Sequence, residues 1–147
     1  HKDIEEVKKV LRKHIDGIVE EYNVKLIYIF GSYAKGTNRE NSDLDIAIYM
    51  EKEIDSFDRL KILDTLIDIL QREDIDLVIL NKVDIELQFQ VIKYGKVIYM
   101  KDLLTKVLYE SKVMSIYMDM EYFRNTQYEI GDRKFYEMFK INREWIF

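Results

Sequence analysis

The sequence of 147 residues contains no cysteine and no proline, and only five of its residues are glycine. Without cysteine, the fold depends on neither a disulfide nor a thiolate metal site. Glycine is so scarce that its positions are informative, and two of the five lie within one short stretch, residues 31–36. The sequence also lacks any apolar run that approaches the length of a membrane-spanning helix, so we expect no membrane partner.

Positive charge is not concentrated anywhere along the chain. Lysine and arginine are dispersed, and the formal net charge is −5. A dedicated nucleic-acid binder carries a basic patch, so this pattern argues against nucleic acid as a direct partner. The hydrophobic share of 48% and the charged share of 35% are typical of a soluble globular protein. Because the first residues show neither a secretory nor a transit pattern, we expect a cytoplasmic protein.

The length of the chain fits one domain with a core of its own. We therefore expect a single domain over residues 1–147. Its core would span about residues 4–100, and a helical extension would follow over about residues 101–147.

Apolar spacing predicts the order helix, strand, loop, strand, helix, strand over the first 80 residues. Short β-branched and aromatic runs predict strands at residues 25–30, 45–50, 75–80 and 96–100. Apolar residues at three- and four-residue spacing predict helices at residues 4–22, 57–70 and 84–94. Asp102 is expected to cap a further helix that reaches the 120s, and the tail after Gly131 is also helical in pattern.

The stretch "GSYAKGTNRENSDLD", residues 31–45, carries several groups that suit a phosphate. Gly31 and Gly36 allow the backbone to turn sharply, so that main-chain N–H groups can point at an anion. The Ser32 hydroxyl and the Lys35 ammonium add further donors. The stretch has neither the spacing of a P-loop nor that of the Rossmann glycine motif. It therefore predicts a phosphate cradle of another type.

Carboxylates follow this cradle at the start of a predicted strand. Asp43 and Asp45 are two residues apart, so side-chain alternation sends both to one face of the sheet. Two carboxylates held that close are costly to ionise unless a cation lies between them, and oxygen ligands beside a phosphate suit Mg²⁺. Asp76 begins the next predicted strand and could reach the same end of the sheet. Asp74 is the alternative third carboxylate, but Asp76 lies directly ahead of the apolar run.

The motif "GSYAKG", followed after five residues by "SDLD", resembles the signature of the polymerase-β-like nucleotidyltransferases. The resemblance implies an α/β (α+β) fold in which helices flank a small mixed sheet and further helices follow at the C-terminus. It also implies ATP as substrate and one or two Mg²⁺ ions as cofactor.

Carried over by position, the resemblance assigns roles to seven residues. The expected catalytic and metal-binding residues are Asp43, Asp45 and Asp76, the last of which would also help to deprotonate the nucleophile. The expected nucleotide-binding residues are Gly31, Ser32, Lys35 and Ser42. Ser42 is also expected, with Asn41, to shape the turn that delivers Asp43.

A narrower resemblance covers residues 4 to about 129. The segments "IDLVILN", "LQFQVIKYGKVIYMKD" and "YMDMEYFRN" are similar to the minimal nucleotidyltransferase antitoxins of HEPN/MNT toxin-antitoxin systems. This resemblance implies transfer of AMP from ATP to a tyrosine of a partner HEPN toxin, a ribonuclease, which is thereby silenced. It also implies a homo-oligomer or a hetero-oligomer with that toxin.

The sequence departs from the family pattern at three places. Lys35 stands where arginine is frequent, Val83 and Asp84 replace an Ala-Pro pair after Asn81, and residues 131–147 have no counterpart. The lysine keeps the charge but loses the bidentate geometry of arginine. These departures leave the chemistry intact and leave the acceptor open.

Two other functions remain open on the sequence alone. The chain could transfer AMP to a small molecule or an RNA end, although its short length leaves little room for a dedicated acceptor domain. Alternatively, it could be an antitoxin that neutralises its toxin by binding, without catalysis. Tyr33, inside the cradle, could touch the nucleotide or accept AMP itself, with core packing as the simpler alternative.

Overall fold

The structure is a computed structural model that describes the backbone of residues 3–130 and the side chains of residues 3–126. Its centre is one mixed sheet of four strands. The strands are β1 (Val24–Phe30), β2 (Leu44–Met50), β3 (Ile75–Ile79) and β4 (Lys96–Met100). They lie in the order β3-β2-β1-β4, in which β1 is antiparallel to both neighbours and β2 is parallel to β3. The expected small mixed sheet is confirmed.

Six helices flank this sheet in the described part of the chain. They are α1 (Ile4–His14), α2 (Asp16–Tyr22), α3 (Gly31–Lys35), α4 (Ser56–Leu70), α5 (Ile85–Tyr94) and α6 (Leu103–Ile130), and a 3₁₀ turn spans Leu80–Lys82. Aspartate side chains cap four of them by accepting backbone N–H bonds at their first turns, as the sequence predicted for Asp102.

Side-chain alternation along the strands produces two hydrophobic layers. One face of the sheet packs against α1, α2 and α4, with Ile46 and Ile48 of β2 fully buried there. The opposite face packs against α5 and α6, with Tyr28 of β1 and Ala47 of β2 buried beneath them. Asp45 lies two residues before Ala47, and so it belongs to the face that α5 and α6 cover.

Polar contacts hold α6 against the sheet and α5 against α6. The buried Tyr28 hydroxyl donates to Glu110 on α6 at 2.6 Å, and the Tyr109 hydroxyl donates to Gln88 on α5 at 2.8 Å. Burial raises the pKa of both tyrosines, and the Glu110 carboxylate raises that of Tyr28 further. Tyr109 also stacks on Tyr49 of β2, with ring centroids 4.2 Å apart. These tyrosines therefore stay protonated and keep their donor role at any physiological pH.

The helix predicted over residues 4–22 is wrong in one respect, because the chain breaks at Ile15. Ile15 has ψ −4° and separates the two helices, so α1 ends at His14 and α2 begins at Asp16. Val7, Leu11, Ile15 and Ile18 are still buried on one side. The buried residues therefore keep the spacing of one unbroken helix, so the apolar pattern does not reveal the break.

The other predicted elements are confirmed, with small shifts at their ends. The predicted third strand stops one residue early, because Leu80 begins the 3₁₀ turn. The loop predicted after β1 contains α3, one short helix. The predicted helical pattern after Gly131 lies outside the described residues.

The long helix α6 leaves most of its large apolar side chains exposed. Tyr109, Val113 and Phe123 are its buried apolar residues. Its exposed large apolar side chains are Leu103, Leu104, Val107, Leu108, Met114, Met118 and Tyr122. Within residues 3–130, no helix has the length and apolar character needed to cross a membrane.

The two tyrosine tethers can be compared by removing one hydroxyl at a time. Tyr28→Phe should lower the free energy of unfolding by about 1.5–3 kcal/mol, because it removes a bond to a charged acceptor. Tyr109→Phe should cost about 0.5–1.5 kcal/mol, because its acceptor is a neutral amide. Urea unfolding of both variants at pH 7 measures this difference. Equal losses would show that the charge on Glu110 adds nothing to the tether.

Candidate active site

The predicted site residues meet at one edge of the sheet, where β1 ends and where β2 and β3 begin. Gly31 follows the last residue of β1 directly. Asp45 pairs with Phe30 on one side and with Asp76 on the other. The turn after β1 and the starts of the two parallel strands therefore lie side by side.

The two glycines of the predicted cradle both adopt left-handed backbone conformations. Gly31 has φ +67° and Gly36 has φ +73°. The N–H groups of Gly36 and Thr37 donate back to the carbonyls of Tyr33 and Ser32 at 3.3 and 3.0 Å, which closes α3 into a compact turn. The sharp turn predicted from the glycines is confirmed.

Gly31 is also a point of close approach to a carboxylate. A Cβ atom at this position would lie 2.0 Å from Oδ2 of Asp45, well inside van der Waals contact. The Asp45 carboxylate therefore rests against the backbone of the turn, and only glycine leaves room for it there. Ser32 is the next residue, in the first turn of α3, and its contact with a phosphate remains a prediction.

The carboxylates form a cluster of like charges at this edge. Asp45 and Asp76 are direct partners in the parallel ladder, and their carboxyl groups are close enough to interact. Asp43 lies just before β2, close enough for its charge to act on Asp45. Burial, Asp76 and then Asp43 raise the pKa of Asp45 to about 6. The three predicted carboxylates thus lie at the same end of the sheet, with Asp45 and Asp76 as direct neighbours.

This cluster suits a hard divalent cation, although it does not form a complete cage. Among the described side chains, no group of three or more acidic, histidine or cysteine residues could hold a metal ion by itself. Mg²⁺ commonly takes one or two carboxylates and completes its shell with water and substrate phosphates. An all-oxygen cluster with mutual repulsion fits that mode of binding. The metal remains a prediction.

Two of the predicted nucleotide-binding residues have other contacts in the structure. The Ser42 hydroxyl accepts from the Arg39 N–H at 2.7 Å, and the Ser42 N–H donates to the Arg39 carbonyl at 3.0 Å. Ser42 therefore shapes the turn before Asp43, as expected. The Lys35 ammonium is exposed and lies 5.7 Å from the ring centroid of Tyr94. Contact of either residue with a nucleotide remains a prediction.

Asp74, the alternative third carboxylate, is engaged elsewhere. Arg72 donates to both of its carboxylate oxygens at 2.6 Å, and this bond lowers the pKa of Asp74. Alternation alone does not separate Asp74 from Asp76, since the two are two residues apart. Their partners distinguish them, because Asp74 binds Arg72 whereas Asp76 lies beside Asp45. Arg72 is not among the residues predicted from the sequence, and its one local signal is its position two residues before an aspartate.

The family model described as polymerase beta, nucleotidyltransferase matches residues 6–103, which include this whole edge of the sheet. The chain belongs to this nucleotidyltransferase family. The recognition and the fold class predicted from the motif are thereby confirmed, and the protein is an enzyme of nucleotidyltransferase type.

Curated relatives in this family carry a more specific name. A Methanocaldococcus jannaschii protein, named provisionally as a protein adenylyltransferase, is 39% identical over 56% of this chain and 94% of its own length. The protein adenylyltransferase MntA of Shewanella oneidensis is 38% identical over 60% of this chain and 58% of its own length.

Solved structures of similar nucleotidyltransferases include toxin-antitoxin complexes. One, a toxin-antitoxin with AMP-PNP, is similar with a TM-score of 0.64 and 31% identity over 82% of this chain and 91% of that chain. Another is the tri-AMPylated Shewanella oneidensis HEPN toxin in complex with MNT antitoxin, with a TM-score of 0.60 and 27% identity over 85% of this chain and 92% of that chain.

The close approach at Gly31 can be tested against a matched glycine. Gly36→Ala should cost about 1–2 kcal/mol of unfolding free energy, because alanine resists the left-handed conformation but meets no atom within 4 Å. Gly31→Ala pays the same backbone cost and also displaces the Asp45 carboxylate. We expect it to cost about 1–3 kcal/mol more and to weaken AMP-PNP binding. Urea unfolding and calorimetry measure both effects, and equal behaviour of the two variants would contradict the close approach.

The raised pKa of Asp45 makes the stability of the metal-free protein depend on pH. The folded pKa is about 6 against about 3.9 in the unfolded chain, so the folded state binds more protons between these values. Stability should therefore fall as the pH rises through 6. Asp45→Asn should stabilise the metal-free protein at pH 8 by on the order of 1 kcal/mol, a figure reduced for solvent screening. The gain should vanish near about pH 4, where the unfolded carboxyl also becomes protonated.

The control for this experiment is Asp64→Asn, which changes an exposed carboxylate on α4 far from the cluster. We expect its effect to stay within about 0.5 kcal/mol at both pH values. Thermal and urea unfolding in EDTA give the comparison. A destabilised Asp45→Asn protein at pH 8 would contradict the repulsion inferred for Asp45 and Asp76.

Proposed function

We propose that this protein is an antitoxin that transfers AMP from ATP to a tyrosine hydroxyl of a cognate HEPN toxin and so neutralises it. The observation that carries the proposal is the paired carboxylates of Asp45 and Asp76, set against the backbone of the Gly31 turn. The names of the Shewanella oneidensis relatives support it, since they include a protein adenylyltransferase and an AMPylated HEPN toxin bound to an MNT antitoxin.

The proposed reaction is an in-line displacement at the α-phosphorus of ATP. A bond forms between the tyrosine oxygen and the α-phosphorus, the bond from the α-phosphorus to the bridging oxygen breaks, and pyrophosphate leaves. The hydroxyl proton must pass to a base as the new bond forms. We assign that role to Asp76, because it is exposed and lies in register beside Asp45.

Asp43, Asp45 and Asp76 would hold one or two Mg²⁺ ions in this proposal. When bound, Mg²⁺ neutralises the charge that develops on the phosphoryl oxygens. Burial and the repulsion from Asp76 and Asp43 together raise the pKa of Asp45, and a cation would relieve the repulsion, which is the physical reason to place it at the cluster.

The nucleotide would be gripped by the turn beside the carboxylates. Gly31 and Ser32 would hold the triphosphate through backbone N–H groups and the serine hydroxyl. Lys35 would add charge from the exposed side of the turn, and Ser42 would add contacts next to Asp43. We place all of these groups in one domain, and we assign ATP as the nucleotide that they bind. The similar complex with AMP-PNP supports the choice of nucleotide.

The test is transfer of AMP to a partner protein. The protein is incubated with ATP, Mg²⁺ and its cognate HEPN toxin, and both proteins are weighed by intact-mass spectrometry. We expect AMP-sized increments on the toxin alone, mapped to tyrosine by peptide sequencing. Asp76→Asn should lower the rate at which these increments form by a factor of at least about 10². Asp68→Asn, an exposed carboxylate on α4, is the matched control.

No increment on the toxin, with increments appearing on a small molecule or an RNA end, would replace the proposed acceptor. An inactive Asp43→Asn protein that still neutralises the toxin in cells at equal dose would show that binding suffices. In that case the function is that of a non-catalytic antitoxin, and the enzymatic account of neutralisation is wrong.

A further inference from the structure

Arg72 lies in the segment between α4 and β3 and joins three separate parts of the chain. Its Nε and Nη2 atoms donate to Asp74 at 2.6 Å, and Nη2 also donates to the Ser42 carbonyl at 2.9 Å. Its Nη1 atom donates to the Tyr33 hydroxyl at 2.7 Å. Only 16% of the Arg72 side chain is exposed, so these contacts are shielded from water.

Each partner of Arg72 is a close neighbour in sequence of a candidate site residue. Ser42 directly precedes Asp43, and Tyr33 directly follows Ser32. Asp74 lies two residues before Asp76, and its carbonyl accepts the N–H of Leu44 at 2.9 Å. None of the four hydrogen bonds of Arg72 goes to Asp43, Asp45 or Asp76. Arg72 therefore binds residues that flank the candidate site, and not the carboxylate cluster itself.

We propose that Arg72 is a positioning residue that sets the mutual placement of the nucleotide turn, Asp43 and Asp76. This inference rests on the proposed function of that site. Through Tyr33, Ser42 and Asp74, the guanidinium connects the turn after β1, the approach to β2 and the approach to β3. The backbone bond from Leu44 to Asp74 and the ladders of β2 with β1 and β3 join the same segments, and Arg72 adds the side-chain connection between them.

The planar fork of arginine suits this task in a way that lysine does not. Arg72 uses donors on all three of its nitrogens, in directions fixed by the guanidinium plane. A lysine ammonium is a single point with three donors, so it cannot reach the carboxylate, the carbonyl and the phenol together. The positive charge alone would satisfy Asp74 but would leave Tyr33 and Ser42 unconnected.

The experiment compares Arg72→Gln and Arg72→Lys with the unmodified protein, at a temperature where all remain folded. We expect Arg72→Gln to lower kcat for AMP transfer by about 10- to 100-fold, as for other residues that orient metal-site carboxylates. The Mg²⁺ concentration for half-maximal rate should rise, and Arg72→Lys should recover little of the loss. Calorimetric titration with AMP-PNP and Mg²⁺ gives a second readout, in which both variants should bind more weakly.

The matched control is Arg12→Gln. Arg12, like Arg72, donates to a backbone carbonyl at 2.9 Å, but it does so from Nε to Ile98 on β4, away from the cluster. Its loss should change melting temperature without changing kcat or the Mg²⁺ requirement. Arg72→Gln behaving like Arg12→Gln would show a merely structural role and overturn the proposal, and so would full recovery of kcat by Arg72→Lys.

Failure of the proposed function gives a different result. If the unmodified protein transfers AMP to the toxin and Arg72→Gln matches its kcat, the positioning proposal is wrong and the function stands. If the unmodified protein modifies no toxin but binds AMP-PNP with Mg²⁺ more tightly than Arg72→Gln does, the function is wrong and the positioning role stands.

Discussion

The repulsion between Asp45 and Asp76 is the constraint on which the site depends. Two adjacent parallel strands hold these carboxylates in register, and the partial burial of Asp45 removes part of the water that would otherwise screen it. Apolar residues at other positions of the sheet are buried on both faces, and their burial offsets the free-energy cost of this repulsion. Carboxylates placed this close together suit a cation, which is consistent with the nucleotidyltransferase family to which the chain belongs.

The strand order makes this placement possible. β1 lies between β2 and β4, so the turn that leaves β1 emerges beside the start of β2. Gly31 sits at that exit and has no Cβ, which lets the Asp45 carboxylate rest against the backbone. In the proposed function, a phosphate held by the turn would lie next to the carboxylates. The preorganised arrangement of donors and charges is what phosphoryl transfer requires.

The remaining parts of the structure keep this edge rigid. Tyr28 and Tyr109 bind α6 and α5 over the face to which Asp45 belongs. Arg72 binds the segments that lead into the turn and the two acidic strands. Packing fixes the strands themselves, but the approaches to them are polar and depend on directed hydrogen bonds. The exposed apolar residues of α6 lie on its outer side and contribute nothing to this edge.

The sequence alone determined what depends on local spacing. The paired glycines indicated the turn, the pair Asp43 and Asp45 indicated the acidic strand, and the apolar periods indicated most helices and strands. Tertiary structure decided the register that sets Asp45 beside Asp76, the capture of Asp74 by Arg72 and the face that α6 buries. A local pattern states which side chains share a face, but not which distant residue lies opposite. That choice is made by long-range pairing and packing, which no single stretch of the sequence contains.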